Sequence, residues 1–268
     1  MGTTQRIIPG VTGEPNWGAL NKGVTDIAKT FEKEKKLESD TSKTPEEVSK
    51  ETDRISDRRQ LLLKSVFTRF VRTGGGREKI SRGDSAKIGK AGLKSARRLA
   101  GFISSVGSNG FRESLEKIGF GDLSGKTVED IVNFLTVYCS DSNAGMDETA
   151  ATAALKYVLD KIALEVASVE EYGKVLEEIT SGDRFDELLC EYFACYLFEH
   201  IAQDFEEKII QMRGETVSQE TFESIRQYIF GLLKDKHQTQ NLSSVDWQGK
   251  EGERIAGNIL ESILKIHE

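Results

Sequence analysis

The sequence predicts an all-α protein, a multi-helix globular bundle preceded by a flexible N-terminal arm, and three observations carry that prediction. Pro9, Pro15 and Pro45 are the only prolines among 268 residues, so the 223 residues from Glu46 to Glu268 contain none. Proline breaks helices and marks turns, and a long stretch without it suits consecutive helices joined by Gly, Ser and Asp. Apolar residues recur at three- and four-residue steps, and no segment shows the period of two that a strand requires.

The elements follow in order. Residues 1–15 carry Gly, Thr and two prolines without periodicity and read as a flexible arm. Trp17, Leu20, Val24, Ile27 and Phe31 step by three and four, predicting a short amphipathic helix over about 17–31 with Asn16 as N-cap. Residues 32–57 hold only Leu37, Val48 and Ile55 as sizeable apolar groups. They read as a polar linker, either disordered or a solvated helix. Residues 1–57 thus form the arm and linker, and 58–268 the helical body.

In the body, RRQLLLKSVFTRFVR is helical, the loop TGGGREKISRGDS follows, and a helix is predicted over residues 86–106. That helix carries Ala86, Gly89, Gly92, Ala96 and Ala100, a smooth stripe for close approach of another helix at the cost of glycine's low propensity. A short helix FRESLEKIG comes next, then one from near Thr127, one over Met146–Ala167, and one capped by Ser168 with Glu171 three residues on. A long helix from about Arg184 to Met212, another over Ser218–Lys236, and a last one from about Trp247 complete the chain.

The net charge of −7 hides an asymmetry. Residues 58–98 hold thirteen Lys/Arg against Glu78 and Asp84, a net of +11, whereas 99–268 carry −16. The basic collar includes Arg69, Arg72, Arg77, Lys79 and Arg82 around Gly74, Gly75 and Gly76. Positive charge beside backbone N–H groups suits phosphate or nucleic acid. The same charge also suits docking on an acidic protein face, in this chain or in a partner. The residues leave both open.

Patterns for catalysis are absent. GFGDLSGKT (119–127) lacks the phosphate-loop glycine at Phe120 and reads as a helix start capped by Thr127. Cys190, Cys195 and His200 are spaced by five, about 140° apart on a helix, so no metal site is expected from them. Cys190 and Cys195 read as small hydrophobes. Three cysteines, no apolar run of membrane-spanning length and no signal-peptide pattern lead to the expectation of a cytoplasmic protein with no membrane association. No nucleophile–His–acid pattern stands out, and the expectation is a non-enzymatic protein without a bound cofactor.

The start, Met1-Gly2-Thr3-Thr4, permits removal of the initiator and exposure of the Gly2 amine. An α-amino group has a pKa of about 7.7–8.0 against about 10.4 for lysine, so far more of it is neutral and nucleophilic near neutrality. Arg6 stands where myristoylation wants Ser or Thr, which argues against that modification.

MGTT, the arm ending in EPNW, the polar linker and FTRFVRTGGGREKISRG leading into a Gly/Ala-rich helix together resemble the QatB family of Qat anti-phage defence systems. The most specific portion is Phe67–Gly83, above all FVRTGGG. The resemblance implies a bacterial defence component encoded beside an ATPase, a QueC-like enzyme and a TatD-like nuclease. It implies further that the QueC-like partner, using ATP, joins a 7-deazaguanine to Gly2 as an amide, with Thr3 and Thr4 as the recognition flank. The competing expectation is a nucleic-acid-binding helical module acting through 58–98.

Overall fold

The computed structural model describes residues 17–140, 145–180, 183–233 and 242–265. Among them are eleven α-helices and no strand. They are α1 (Trp17–Glu38), α2 (Pro45–Thr73), α3 (Arg77–Ser81), α4 (Lys90–Asn109), α5 (Phe111–Lys117), α6 (Val128–Cys139), α7 (Met146–Ala163), α8 (Val169–Ile179), α9 (Arg184–Arg213), α10 (Glu215–Gly231) and α11 (Lys250–Leu264). Among the described residues, no helix is long and apolar enough to cross a membrane.

The centre of the molecule is α9. Sixteen of its residues are buried, from Phe185 to Ile209, and they fall on every side of the helix. A helix apolar all round must be surrounded, and α9 is packed by α1, α4, α7, α10 and α11. Cys190 and Cys195 are buried within it, as small apolar groups.

α1 and α2 form a hairpin, because a six-residue connection makes neighbouring helices antiparallel. Leu20, Val24 and Ile27 of α1 meet the core together with Leu63, Val66, Phe67 and Phe70 of α2. The polar segment 32–57 is mostly helical, so α1 runs seven residues past the expected Phe31 and α2 begins at Pro45 instead of Arg58. Local chemistry explains the second start: the Thr44 hydroxyl accepts from the Glu47 amide, the Glu47 carboxylate accepts from the Thr44 amide, and Pro45 occupies the first turn. Tertiary ion pairs hold α1, with Lys35 meeting Glu220 at 2.8 Å and Arg213 meeting Glu32.

Glycines set several other boundaries. Gly89 adopts φ +114°, and a Cβ there would lie 2.2 Å from the Ile80 carbonyl oxygen, so α4 starts at Lys90 rather than at Ala86. Gly214, at φ +83°, alone separates α9 from α10 and moves the α10 start to Glu215, ahead of the expected Ser218. The predicted caps at Thr127 and Ser168 both form, each accepting from the backbone amide three residues on.

Candidate functional site

Gly2, Thr3 and Thr4, the expected modification site and its flank, lie outside the described residues. The basic collar lies within them. Its arginines are largely engaged by the protein's own backbone and acids. Arg59 pairs with Glu34, donates from Nε to Thr30 at 2.9 Å, and lies 3.7 Å over the Phe31 ring. Arg69 reaches back to α1 and donates to the Ala19 carbonyl at 2.7 Å. Arg77 approaches Glu261 of α11 at 3.6 Å.

At the far end of the collar, two arginines of α4 cap other elements. Arg97 donates to the carbonyls of Trp247 at 3.0 Å, Gln248 at 2.8 Å and Gly249 at 3.3 Å, fixing the turn that leads into α11. Arg98 donates to the carbonyls of Tyr138 and Ser140 at the C-terminal end of α6. A cation there also opposes the negative end of that helix dipole.

The triple glycine is a closure of α2. The amides of Gly74, Gly75 and Gly76 donate to the carbonyls of Phe70, Arg72 and Val71 at 3.0–3.2 Å. Gly75 and Gly76 have positive φ, and a Cβ on Gly74 would meet Ile80 at 2.6 Å. The amides expected to cradle an anion therefore satisfy the helix end instead. Three cations around this loop, Arg72, Lys79 and Arg82, remain exposed and without a side-chain hydrogen bond or ion pair among the described residues, as does the carboxylate of Glu78.

Behind the loop sits a buried polar junction that sequence reasoning missed. Asp147, in the first turn of α7, accepts from the Ala91 amide at 2.7 Å and the Gly89 amide at 3.3 Å. It also accepts from the Tyr196 hydroxyl and faces His200 Nε2 at 3.0 Å. α4 has no cap from its own sequence, and Asp147 supplies one from another helix. The smooth stripe expected on α4 finds its partner here, since a Cβ on Gly92 would fall 2.5 Å from the Tyr196 ring. Tyr192 donates to the Gly92 carbonyl at 3.1 Å. The i, i+4 spacing of Tyr196 and His200 was the available signal, but their partner lies about fifty residues away.

Burial and hydrogen bonding together set the ionisation of this region. Burial raises the Asp147 carboxyl, but the hydrogen bonds from His200, Tyr196 and Ala91 outweigh it and leave the pKa below the ordinary value. Asp204, one turn beyond His200, has no such partners, and burial pushes it up to about 6 against the pull of His200 and Lys87. Cys139 and Cys195 are each pushed up to about 12 by burial, so both thiols stay protonated at neutral pH. Among the described residues, no group of three or more His, Cys, Asp or Glu stands ready for a metal ion.

Fold and side-chain placement thus define a helical scaffold whose buried polar groups hold helices together. The family described as Qat anti-phage system associated protein QatB matches residues 81–267. That span is well over half of the chain, which belongs to this family and is a Qat anti-phage system component. The match begins at Ser81, so all of FVRTGGG and the α1–α2 hairpin lie N-terminal to it. No curated protein and no solved structure matches the chain.

Proposed function

We propose that this chain is the non-catalytic substrate and docking subunit of its Qat system, modified at Gly2. Membership of the QatB family over residues 81–267 is the observation that carries the reading. A QueC-like partner uses ATP to activate a 7-deazaguanine carboxylate, and the neutral Gly2 amine attacks the activated carbonyl to form an amide, expelling the ATP-derived activating group and losing a proton from nitrogen. Thr3 and Thr4 flank the acceptor and serve in its recognition. The helical body holds the partners, which include the ATPase and the TatD-like nuclease of the same system. The three exposed cations Arg72, Lys79 and Arg82 support docking of an acidic protein face beside the glycine loop.

Intact-mass and N-terminal peptide measurement after co-expression with the neighbouring genes test the conjugation. The expected result is loss of Met1 and a mass increase confined to the Gly2 peptide. An unmodified N-terminus in the presence of active partner and precursor overturns it. Nucleic-acid binding through 58–98 is the weaker reading, because at least five of the thirteen cations already bond to the protein itself.

A further inference from the structure

We infer that the cleft between the distal halves of α1 and α2 is a binding site for the phosphate groups of a nucleotide. The cleft encloses about 490 Å³ and is lined by both helices of the hairpin. That volume falls within the range of about 300–1,000 Å³ usual for small-ligand sites. Leu37 and Ile55 contribute its apolar floor.

Charge is the informative feature. Lys29, Lys33 and Lys36 step by four and three along α1, and Arg54 and Arg58 step by four along α2, so each helix turns a row of cations into the same cleft. Lys43, from the connection, adds a sixth. Three acids share the space, and each is already engaged. Asp26 pairs with Lys29 at 2.7 Å, Glu51 pairs with Lys43, and Asp40 accepts from the Ser42 amide at 3.1 Å and from its hydroxyl at 2.5 Å.

What remains are Lys33, Lys36, Arg54 and Arg58, four cations with no hydrogen bond or ion pair among the described residues. Like charges at i, i+4 on a helix destabilise it, and Arg54/Arg58 and Lys29/Lys33 are such pairs. An unpaired, solvent-exposed set lining one cleft from two helices fits a ligand bearing several negative charges close together. Phosphates meet that description, and the planar arginine forks match their oxygens in pairs. The cleft lies outside the segment matched to the family and far in sequence from Gly2, so it stands or falls apart from the conjugation reading.

The test is calorimetric or fluorescence titration of the full-length, unmodified chain. Three probes are used: a nucleoside triphosphate, inorganic triphosphate, and a short oligothymidine, each at about 50 mM and about 200 mM salt. Saturable binding that weakens steeply with salt supports the site. A triphosphate-led ranking assigns it to free nucleotides, and an oligothymidine-led ranking to the phosphates of a strand. The double reversal Lys33→Glu with Arg58→Glu is expected to weaken binding at least about tenfold. The milder Lys33→Gln with Arg58→Gln should give an intermediate loss, and reversal of the exposed Lys174 on α8 should give none. Thermal melts confirm that each variant is folded. The proposal is overturned if no probe binds at the lower salt, or if a folded double reversal binds as well as the parent chain.

Discussion

His200 on α9 and Asp147 at the start of α7 meet at 3.0 Å, and the same carboxylate accepts the amides that open α4. One side chain thus joins three helices. Replacing Asp147 with Ala leaves the Ala91 amide, the Tyr196 hydroxyl and the His200 imidazole short of a partner, while the Gly89 amide keeps the Tyr196 oxygen at 2.5 Å, with an expected cost on the order of 3 kcal/mol. Urea denaturation measures it, and Asp147→Asn should recover part of the loss. The sign of the pH dependence follows from the lowered pKa of Asp147. Its contribution is present above the unfolded-state value of about 3.9 and is lost as pH falls through the lower folded value. The acid limb of the stability profile should therefore shrink in Asp147→Asn.

Asp204 predicts the opposite slope. Its folded pKa, about 6, lies above the ordinary carboxyl value, because burial penalises the charge. Stability from this group is fully present below about pH 4 and declines as pH rises through the folded value. Asp204→Asn should stabilise the protein at neutral pH by about 1–3 kcal/mol and bring no gain near pH 4. A variant less stable than the parent at neutral pH would show that the carboxylate has a favourable partner after all.

The two glycines facing α9 and α3 are sensitive backbone positions. Gly89→Ala combines positive φ with a Cβ 2.2 Å from a carbonyl oxygen, and Gly92→Ala pushes into the Tyr196 ring. Each is expected to cost at least about 2 kcal/mol. Gly119→Ala provides the comparison, because nothing lies within 4 Å of its added Cβ and only its positive φ of 90° is strained. Thermal midpoints should fall much further for the first two.

Cations of the collar should divide by readout. Arg97→Ala removes three hydrogen bonds to the turn before α11 and should lower stability by about 2 kcal/mol. Arg72→Ala, Lys79→Ala and Arg82→Ala should change stability by less than about 0.5 kcal/mol while weakening capture of the partner proteins in pull-downs.

Most helices other than α9 were legible because they bury one face, and the 3.6-residue period survives in Val128–Tyr138 or Trp17–Ile27 without knowledge of the partner. Thr127 and Ser168 were legible for the same reason, since a cap and its amide sit three residues apart. Of the two readings of 32–57 the helical one is observed, and its bounds were hidden because its stability is not apolar: Thr44, Pro45 and Glu47 start the helix, and ion pairs to α9 and α10 fix its neighbour. Asp147 was illegible altogether. It looks like any acid in a first helical turn, and its four partners come from Gly89, Ala91, Tyr196 and His200. The fate of the collar arginines was hidden likewise, because a carbonyl acceptor leaves no mark on the sequence.

That choice of acceptor separates two kinetic constants. Arg69, Arg97 and Arg98 end on carbonyl oxygens, which take up donors without cancelling charge. Their hydrogen bonds are committed, but their field still extends into solvent over a screening distance of about 8 Å at physiological salt. On the proposed docking reading, an approaching anionic partner would be steered by nearly the whole collar and gripped by a few side chains. Association rate should track the total positive charge and fall with ionic strength, whereas residence time should track Arg72, Lys79 and Arg82 alone.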